Sequence, residues 1–237
     1  MALDYATYVA QISNLMVDQS TGTEFQTFLP GMIDYAEQRI YRELDLLASH
    51  TSDSTASLTS GGRVLFLPSS GGVFNIVEQI NVYYPAGSTQ WTGVKVPLNP
   101  ATREFIDFMF PDPNSMGTPS YFAPLDNASY YVGPVPDGAY LVQVVGTIRP
   151  TPLSASNTTT YLTSYLPDLF IAASMVFAAG YQRDYGAGSD DPSKSTSWEG
   201  TYNTLLKSAA VEEARKKFQS EGWQSKAPSP VATPARR

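Results

Sequence analysis

The chain has 237 residues, of which 42% are hydrophobic, with a formal net charge of −7 and no cysteine. This length suffices for one core or for two small domains. The lack of cysteine excludes a disulfide framework and a thiolate metal site. The one histidine, His50, lies among Ser and Thr residues, and we interpret it as a solvated loop residue. A catalytic triad or a His-rich metal site therefore has almost no material, and we expect no cofactor and no enzymatic activity.

The ends and the apolar runs of the sequence argue against export and membrane insertion. The first residues, MALDYATYVAQ, lack the basic n-region of a secretory signal. The longest apolar run, 169–181, is about 13 residues and falls short of a membrane span. An acidic body also argues against general nucleic-acid binding, which needs clustered Lys and Arg. We expect a soluble protein that is made in the cytoplasm and does not contact a membrane.

The first fifty residues predict two amphipathic helices. The first runs over 3–17, and its apolar stripe consists of Tyr5, Tyr8, Val9, Ile12, Leu15 and Met16. Thr21 and Glu24 have the spacing of a capping box. Pro30 predicts either a short turn before the second helix or a kink within it. From Pro30 onward, the second stripe consists of Ile33, Ala36, Ile40, Leu44 and Leu47.

The middle of the chain changes to short segments rich in Val, Ile and aromatic residues, separated by turn residues. These segments predict strands over 63–67, 73–84, 90–96, 120–123, 129–132 and 140–148. A short helix is predicted over 99–109, with Asn99 as its cap, Pro100 at its first position, and Phe105, Ile106 and Met109 pointing inward. Strands at this spacing indicate a small antiparallel sandwich or barrel.

Two further helices are predicted after Ser164. The first begins at Pro167 and Asp168, is apolar nearly all round and ends at Gly186. Thr196 and Glu199 form a second candidate capping box, at the start of the last helix. The apolar stripe of that helix consists of Trp198, Tyr202, Leu205, Ala209 and Phe218.

This order of elements predicts an α+β fold. The two chain ends, 1–50 and 160–220, form a discontinuous helical bundle, and 51–159 form an inserted β lobe with a short helix. Residues 221–237, which are rich in Pro and Ser, form an extended tail.

Charge is divided unevenly along the chain. Residues 207–237 carry seven bases and three acids, a net of +4, whereas the preceding residues carry eight bases and nineteen acids, a net of −11. The run Arg215-Lys216-Lys217 is open to three interpretations: nucleic-acid binding, a favourable basic end of a helix with Glu212 and Glu213 in i, i+4 pairs, or contact with an acidic partner. Trp223 favours the last, because a Trp on an extension has no core of its own to fill.

Two segments of the sequence resemble a known family. They are FQTFLPGMIDYAEQRIYRELDLLAS, residues 25–49, and YYVGPVPDGAYLVQVVGTIRPTPLSASNTTTYLTSYLPDLFIAASMVFAAGYQ, residues 130–182. The second combines a Gly-Pro-x-Pro-Asp turn with a Pro-x-Pro-Leu exit and a Leu-Pro-Asp helix start. Both are similar to the head-to-tail adaptor (connector) proteins of short-tailed bacteriophages, the group that includes tail tubular protein A.

The resemblance implies a structural virion protein at the head–tail junction. It implies a twelve-fold ring of identical subunits between the portal and the tail nozzle, through which genome DNA passes, and no enzymatic activity. An acidic lumen would let DNA slide without sticking. The expected portal-binding residues are Arg215, Lys216, Lys217, Phe218, Trp223, Lys226, Arg236 and Arg237. The expected nozzle- or subunit-interface residues are Tyr83, Tyr84, Trp91, Tyr121 and Phe122.

Two rival functions fit parts of the sequence. Its fifteen tyrosines could form a receptor- or carbohydrate-binding surface on the β lobe. Alternatively, Asp137 with Asp126 could act as a glycosidase pair, although nothing in their spacing fixes a separation. Adjacent Asp190 and Asp191 precede a proline, and we interpret them as a solvated turn rather than a metal site.

Overall fold

The computed structural model describes residues 3–16, 22–182 and 192–220. These residues contain six α-helices and ten strands, and their mixed composition confirms the predicted α+β class. The helices are α1 (Tyr5–Met16), α2 (Thr23–Glu43), α3 (Arg103–Met109), α4 (Tyr161–Tyr165), α5 (Pro167–Gln182) and α6 (Pro192–Ser220). The strands are β1 (His50–Leu58), β2 (Val64–Phe66), β3 (Gly72–Tyr84), β4 (Val94–Pro97), β5 (Asn99–Pro100), β6 (Met116–Gly117), β7 (Tyr121–Pro124), β8 (Ser129–Gly133), β9 (Val135–Pro136) and β10 (Tyr140–Pro150).

The helices from the two ends of the chain share one apolar cluster. Tyr8 and Ile12 of α1 and Ile40 of α2 are fully buried there, as is Phe170 of α5. The rings of Tyr8 and Phe170 stack with centroids 4.8 Å apart, and the Tyr8 hydroxyl shares a 2.8 Å hydrogen bond with Ser174 Oγ. The i, i+4 spacing of these residues is what brings them to one face of each helix.

Most strands lie in two four-stranded sheets, with orders β1-β10-β3-β4 and β2-β8-β7-β5. Burial alternates along β10, as a period of two requires when one face packs on a core. Side chains from both sheets, such as Val142 of β10 and Val132 of β8, belong to a second apolar cluster. The main strand pairs are antiparallel, as predicted, and two short pairs, β5 with β7 and β6 with β9, are parallel.

Several predicted helix boundaries are corrected by the structure. α2 begins at Thr23 and continues through Pro30, because burial of Phe25 and Leu29 outweighs the single hydrogen bond that proline removes. α3 begins at Arg103, with Thr102 as its cap, and Asn99 and Pro100 instead form β5. The helix α4 was not predicted; a capping box of Thr160 and Thr163 starts it.

Some predicted side-chain positions also differ. Leu15, Leu47, Phe105 and Met109 are exposed rather than buried. Thr196 and Glu199 lie within α6, which begins at Pro192, so they do not form its capping box. Thr21, Gly186, Asp190 and Asp191 lie outside the described residues, as does the side chain of Phe218.

The region around His50 also differs from the prediction. His50 is the first residue of β1, not a loop residue, and its Nε2 lies 3.2 Å from Glu78 Oε1 of β3. Across the described ranges, no helix has the length and apolar character needed to cross a membrane.

Candidate interaction surfaces

The basic end of α6 is attached to the rest of the helical part by its own lysines. Lys216 Nζ lies 2.8 Å from both Glu212 Oε1 and Glu213 Oε1, and it donates a 3.0 Å hydrogen bond to the Tyr161 hydroxyl. Hydrogen bonding to Glu212, more than any other cause, raises the pKa of Lys216. Lys217 pairs with Asp45, which follows α2. Two of the three bases in the predicted run therefore hold α6 in place.

Glu213 is the buried centre of this attachment. Its carboxylate accepts hydrogen bonds from the Leu47 amide (3.2 Å), the Tyr161 hydroxyl (3.0 Å) and Lys216 (2.8 Å). Burial acts to raise the pKa of Glu213, but these donors outweigh it and the pKa is lowered. The carboxylate is therefore held in its charged form, as a buried charge requires.

The expected portal-binding residues therefore differ in their surroundings. Lys216 and Lys217 are half-buried and engaged within the chain, whereas Arg215 is exposed. Phe218 lies in α6. Trp223, Lys226, Arg236 and Arg237 lie outside the described residues.

A bidentate ion pair between Arg39 and Glu199 joins α6 to α2. Arg39 donates from Nη1 to Glu199 Oε2 at 2.9 Å and from Nη2 to Glu199 Oε1 at 2.6 Å. The guanidinium also lies 4.1 Å from the centre of the Tyr202 ring, and the Tyr202 hydroxyl donates to Glu43. Arg39 lowers the pKa of Glu199 through the hydrogen bonds it donates. Such bidentate geometry fixes direction as well as distance between the two helices.

The aromatic residues expected at interfaces differ in exposure. Trp91, in the β3–β4 connection, is 86% exposed, and Tyr84 lies beside exposed Val94 across the β3–β4 ladder. Tyr83 and Phe122 are buried and so offer little surface to a partner. Tyr121 is half-buried and packs against the rings of Phe105 and Phe110.

A cleft of about 260 Å³ lies where the end of α2 meets β3 and β10. Its lining carries charge of both signs, including Arg42, Asp45 and Arg149. The lining therefore offers no single set of like-charged side chains to bind a ligand.

The two carboxylates of the glycosidase hypothesis, Asp126 and Asp137, each accept hydrogen bonds from residues close by in the sequence. Asp126 accepts from the Ala128 amide at 2.7 Å and from Ser129 Oγ at 2.8 Å, which lowers its pKa. Asp137 accepts a 2.5 Å hydrogen bond from the Tyr140 hydroxyl. Among the residues the structure describes, no three His, Cys, Asp or Glu side chains are grouped to hold a metal ion.

Sequence reasoning missed two features of these surfaces. The sequence indicated only that Glu213 pairs with nearby bases, and it gave no sign of the Leu47 and Tyr161 donors, which are 166 and 52 residues away. Phe108 is 82% exposed on α3. Its spacing from buried Ile106 places it on the opposite side of that helix, which periodicity could have indicated.

Comparison with known proteins gives one match. The profile of the family described as SU10 adaptor protein, a group of bacteriophage adaptors, matches residues 3–232. No curated protein matches the chain.

Proposed function

This chain belongs to the SU10 adaptor protein family, and we propose that it is a ring-forming subunit between the portal and the tail nozzle of a phage. The observation that carries this proposal is the length of the family match, which includes the helices, the strands and most of the basic end. In this role the protein works through its contact surfaces, and its position is the head–tail junction of the virion. The ring is expected to be twelve-fold, with a channel for genome DNA.

We propose that the two apolar clusters are the cores of two structural units. The helical cluster corresponds to a discontinuous bundle, 1–50 with 160–220, and the strand cluster to an inserted sandwich-like lobe, 51–159. The attachment of α6 through Glu199, Glu213 and Lys217 gives the chain a fixed point from which residues 221–237 continue.

The portal is assigned to the basic end of the chain. Arg215 is exposed there, and Trp223, Lys226 and the terminal arginines follow. Ordering an extended segment costs about 1–2 kcal/mol per residue, so the segment needs anchors such as Trp223 on the portal surface. Lys216 and Lys217 contribute chiefly by orienting α6, because their ammonium groups already have partners within the chain.

The nozzle is assigned to the β lobe. Trp91 and the Tyr84–Val94 pair form an exposed apolar surface on the β3–β4 hairpin, and Trp and Tyr are enriched where interfaces gain most of their binding energy. The acidic body, net −11 before residue 207, suits a channel in which DNA moves without binding.

Co-sedimentation with purified portal rings tests this function. The full-length chain should sediment with the rings, and a chain ending at Ser220 should not. Trp91→Ala is the matched control, since it removes an exposed aromatic from the β3–β4 connection, which is assigned to the nozzle, and should leave portal binding unchanged. Equal sedimentation of the truncated and full-length chains would contradict the assignment of the portal to the basic end.

A further inference from the structure

Two exposed surfaces on different parts of the chain have opposite charge, and in each an apolar residue lies between two charged residues in the sequence. On α6, Lys207, Val211 and Arg215 are spaced four residues apart, and all three are exposed. Buried Tyr202, Ala209 and Glu213 occupy the opposite side of the helix. An apolar residue between two bases therefore forms the centre of the outward face of α6. We call this the α6 surface.

The second surface is built around α3. Glu104 and Phe108 are spaced four residues apart and lie opposite Ile106, which is fully buried. Exposed Asp112 follows the end of the helix. Phe105 and Met109, also exposed, widen the apolar part on one side. We call Glu104, Phe108 and Asp112, with these two flanking residues, the α3 surface.

The attachment of α3 to the sheet explains why Phe108 points outward. Ile106 packs over Gly133, where a Cβ would come within 2.5 Å of Ile106 Cγ2. Arg63 donates a 2.6 Å hydrogen bond to the Phe110 carbonyl oxygen. These contacts hold the Ile106 side of α3 against the sheet, so Phe108, on the opposite side of the helix, points into solvent within a single chain.

The charges on both surfaces are unpaired. Within the described part of the chain, Lys207, Arg215, Glu104 and Asp112 form no ion pair. A Phe that is 82% exposed beside unpaired acids, and a Val that is 52% exposed between unpaired bases, fit one another in charge and polarity. Complementary charges of this kind give an interface its register and its choice of partner.

We infer that the α3 surface of one copy of the chain docks on the α6 surface of a neighbouring copy. Because the α3 surface and the α6 surface differ, successive copies can pair head to tail, and such a contact closes into a ring when its rotation divides a full turn. The inference rests on the proposed ring and goes further by naming the faces that form it.

Cross-linking between copies tests the pairing directly, because the natural chain has no cysteine. A Phe108→Cys chain is mixed with a Val211→Cys chain and treated with a short bis-maleimide. The mixture should give cross-linked dimers in severalfold higher yield than either variant alone. Trp91→Cys mixed with Val211→Cys is the control, since Trp91 is at least as exposed as Phe108. A yield no higher than that of the control would overturn the inference.

Charge reversal gives a second, independent measurement. Lys207→Glu with Arg215→Glu in the Val211→Cys chain should reduce the cross-linking yield. Glu104→Lys with Asp112→Lys in the Phe108→Cys chain should then restore it, whichever way the two helices run. Thermal melts of each variant check folding, and failure of the reversal to restore yield in folded chains would contradict the pairing.

These experiments use the purified chain without portal. Loss of the cross-link with intact portal co-sedimentation would overturn the docking inference and leave the proposed function standing. The opposite result would contradict the portal assignment and leave the pairing intact.

Discussion

The buried carboxylate of Glu213 accepts a hydrogen bond from the backbone amide of Leu47, 166 residues earlier in the chain. This contact joins the last helix to the segment that leads from α2 into β1. It places the start of the basic end beside the junction between the helices and the sheets. The position of that end is therefore set by a side chain inside the fold.

Glu213→Ala should lower the free energy of unfolding by about 2 kcal/mol, because the Leu47 amide and the Tyr161 hydroxyl would lose their acceptor. Urea unfolding monitored by circular dichroism measures this change. Asp45→Asn is the matched control at the same helix end, since Asp45 is largely exposed and its pair with Lys217 should contribute less than about 1 kcal/mol. Equal losses for the two variants would contradict a dominant role for Glu213.

Arg39→Ala should destabilise the chain by about 2 kcal/mol, because it breaks the bidentate ion pair with Glu199 and removes the guanidinium from the Tyr202 ring. Arg39→Lys should recover less than half of this loss, since an ammonium group cannot donate in the same fork. Arg103→Ala, which removes an exposed i, i+4 pair with Asp107, serves as the control. If Arg103→Ala lost as much stability as Arg39→Ala, this would contradict the importance of the bidentate pair.

Glu37 predicts a pH dependence of stability. It is 4% exposed, and burial raises its pKa to about 7, although it accepts a 3.0 Å hydrogen bond from the Leu153 amide. Because the folded state then binds more protons than the unfolded state between about pH 4.5 and 7, stability should fall as the pH rises through this range. The full effect is at most about 3 kcal/mol.

Glu37→Gln tests this dependence, because the amide oxygen can still accept from Leu153 and the side chain no longer titrates. The variant should match the natural chain near pH 4 and be more stable at pH 8. Glu24→Gln, at an exposed position in the first turn of α2, should leave the pH profile unchanged. If the stability of Glu37→Gln and of the natural chain changed with pH in parallel, the prediction would be contradicted.

Gly133→Ala should destabilise the β part by about 1–3 kcal/mol, because the new methyl group would meet Ile106 and Phe110 and displace α3. Gly31→Ala has no neighbour within 4 Å and lies inside α2, so it should instead stabilise the chain by about 0.5–1 kcal/mol. Thermal unfolding separates the two by the sign of the change. A stabilising Gly133→Ala would show that α3 does not pack as described.

Regular periodicity made much of the fold predictable. The stripe of Ile33, Ala36 and Ile40 and the alternation along β10 both correspond to buried faces. β1 was missed because its sequence, HTSDSTASL, has little intrinsic preference for a strand. Its hydrogen bonds with β10, a distant partner in the sequence, hold it in place.

The surfaces were predictable only in part. Charge counting found the basic end of the chain, and the i, i+4 spacing indicated the pair of Glu212 with Lys216. Neither could show the contact of Lys216 with Tyr161 or of Lys217 with Asp45, which are 55 and 172 residues away. Exposed aromatics were inferred from composition, yet Tyr83 and Phe122 are buried and Phe108 is exposed. Strand register and helix packing decide such differences, and neither is local in the sequence.

Electron microscopy of the purified chain mixed with portal rings tests the proposed function most directly. We expect a ring of additional density on one face of the portal only, with one subunit of this chain per portal subunit. Portal rings that remain bare, under conditions in which the chain is folded, would contradict it.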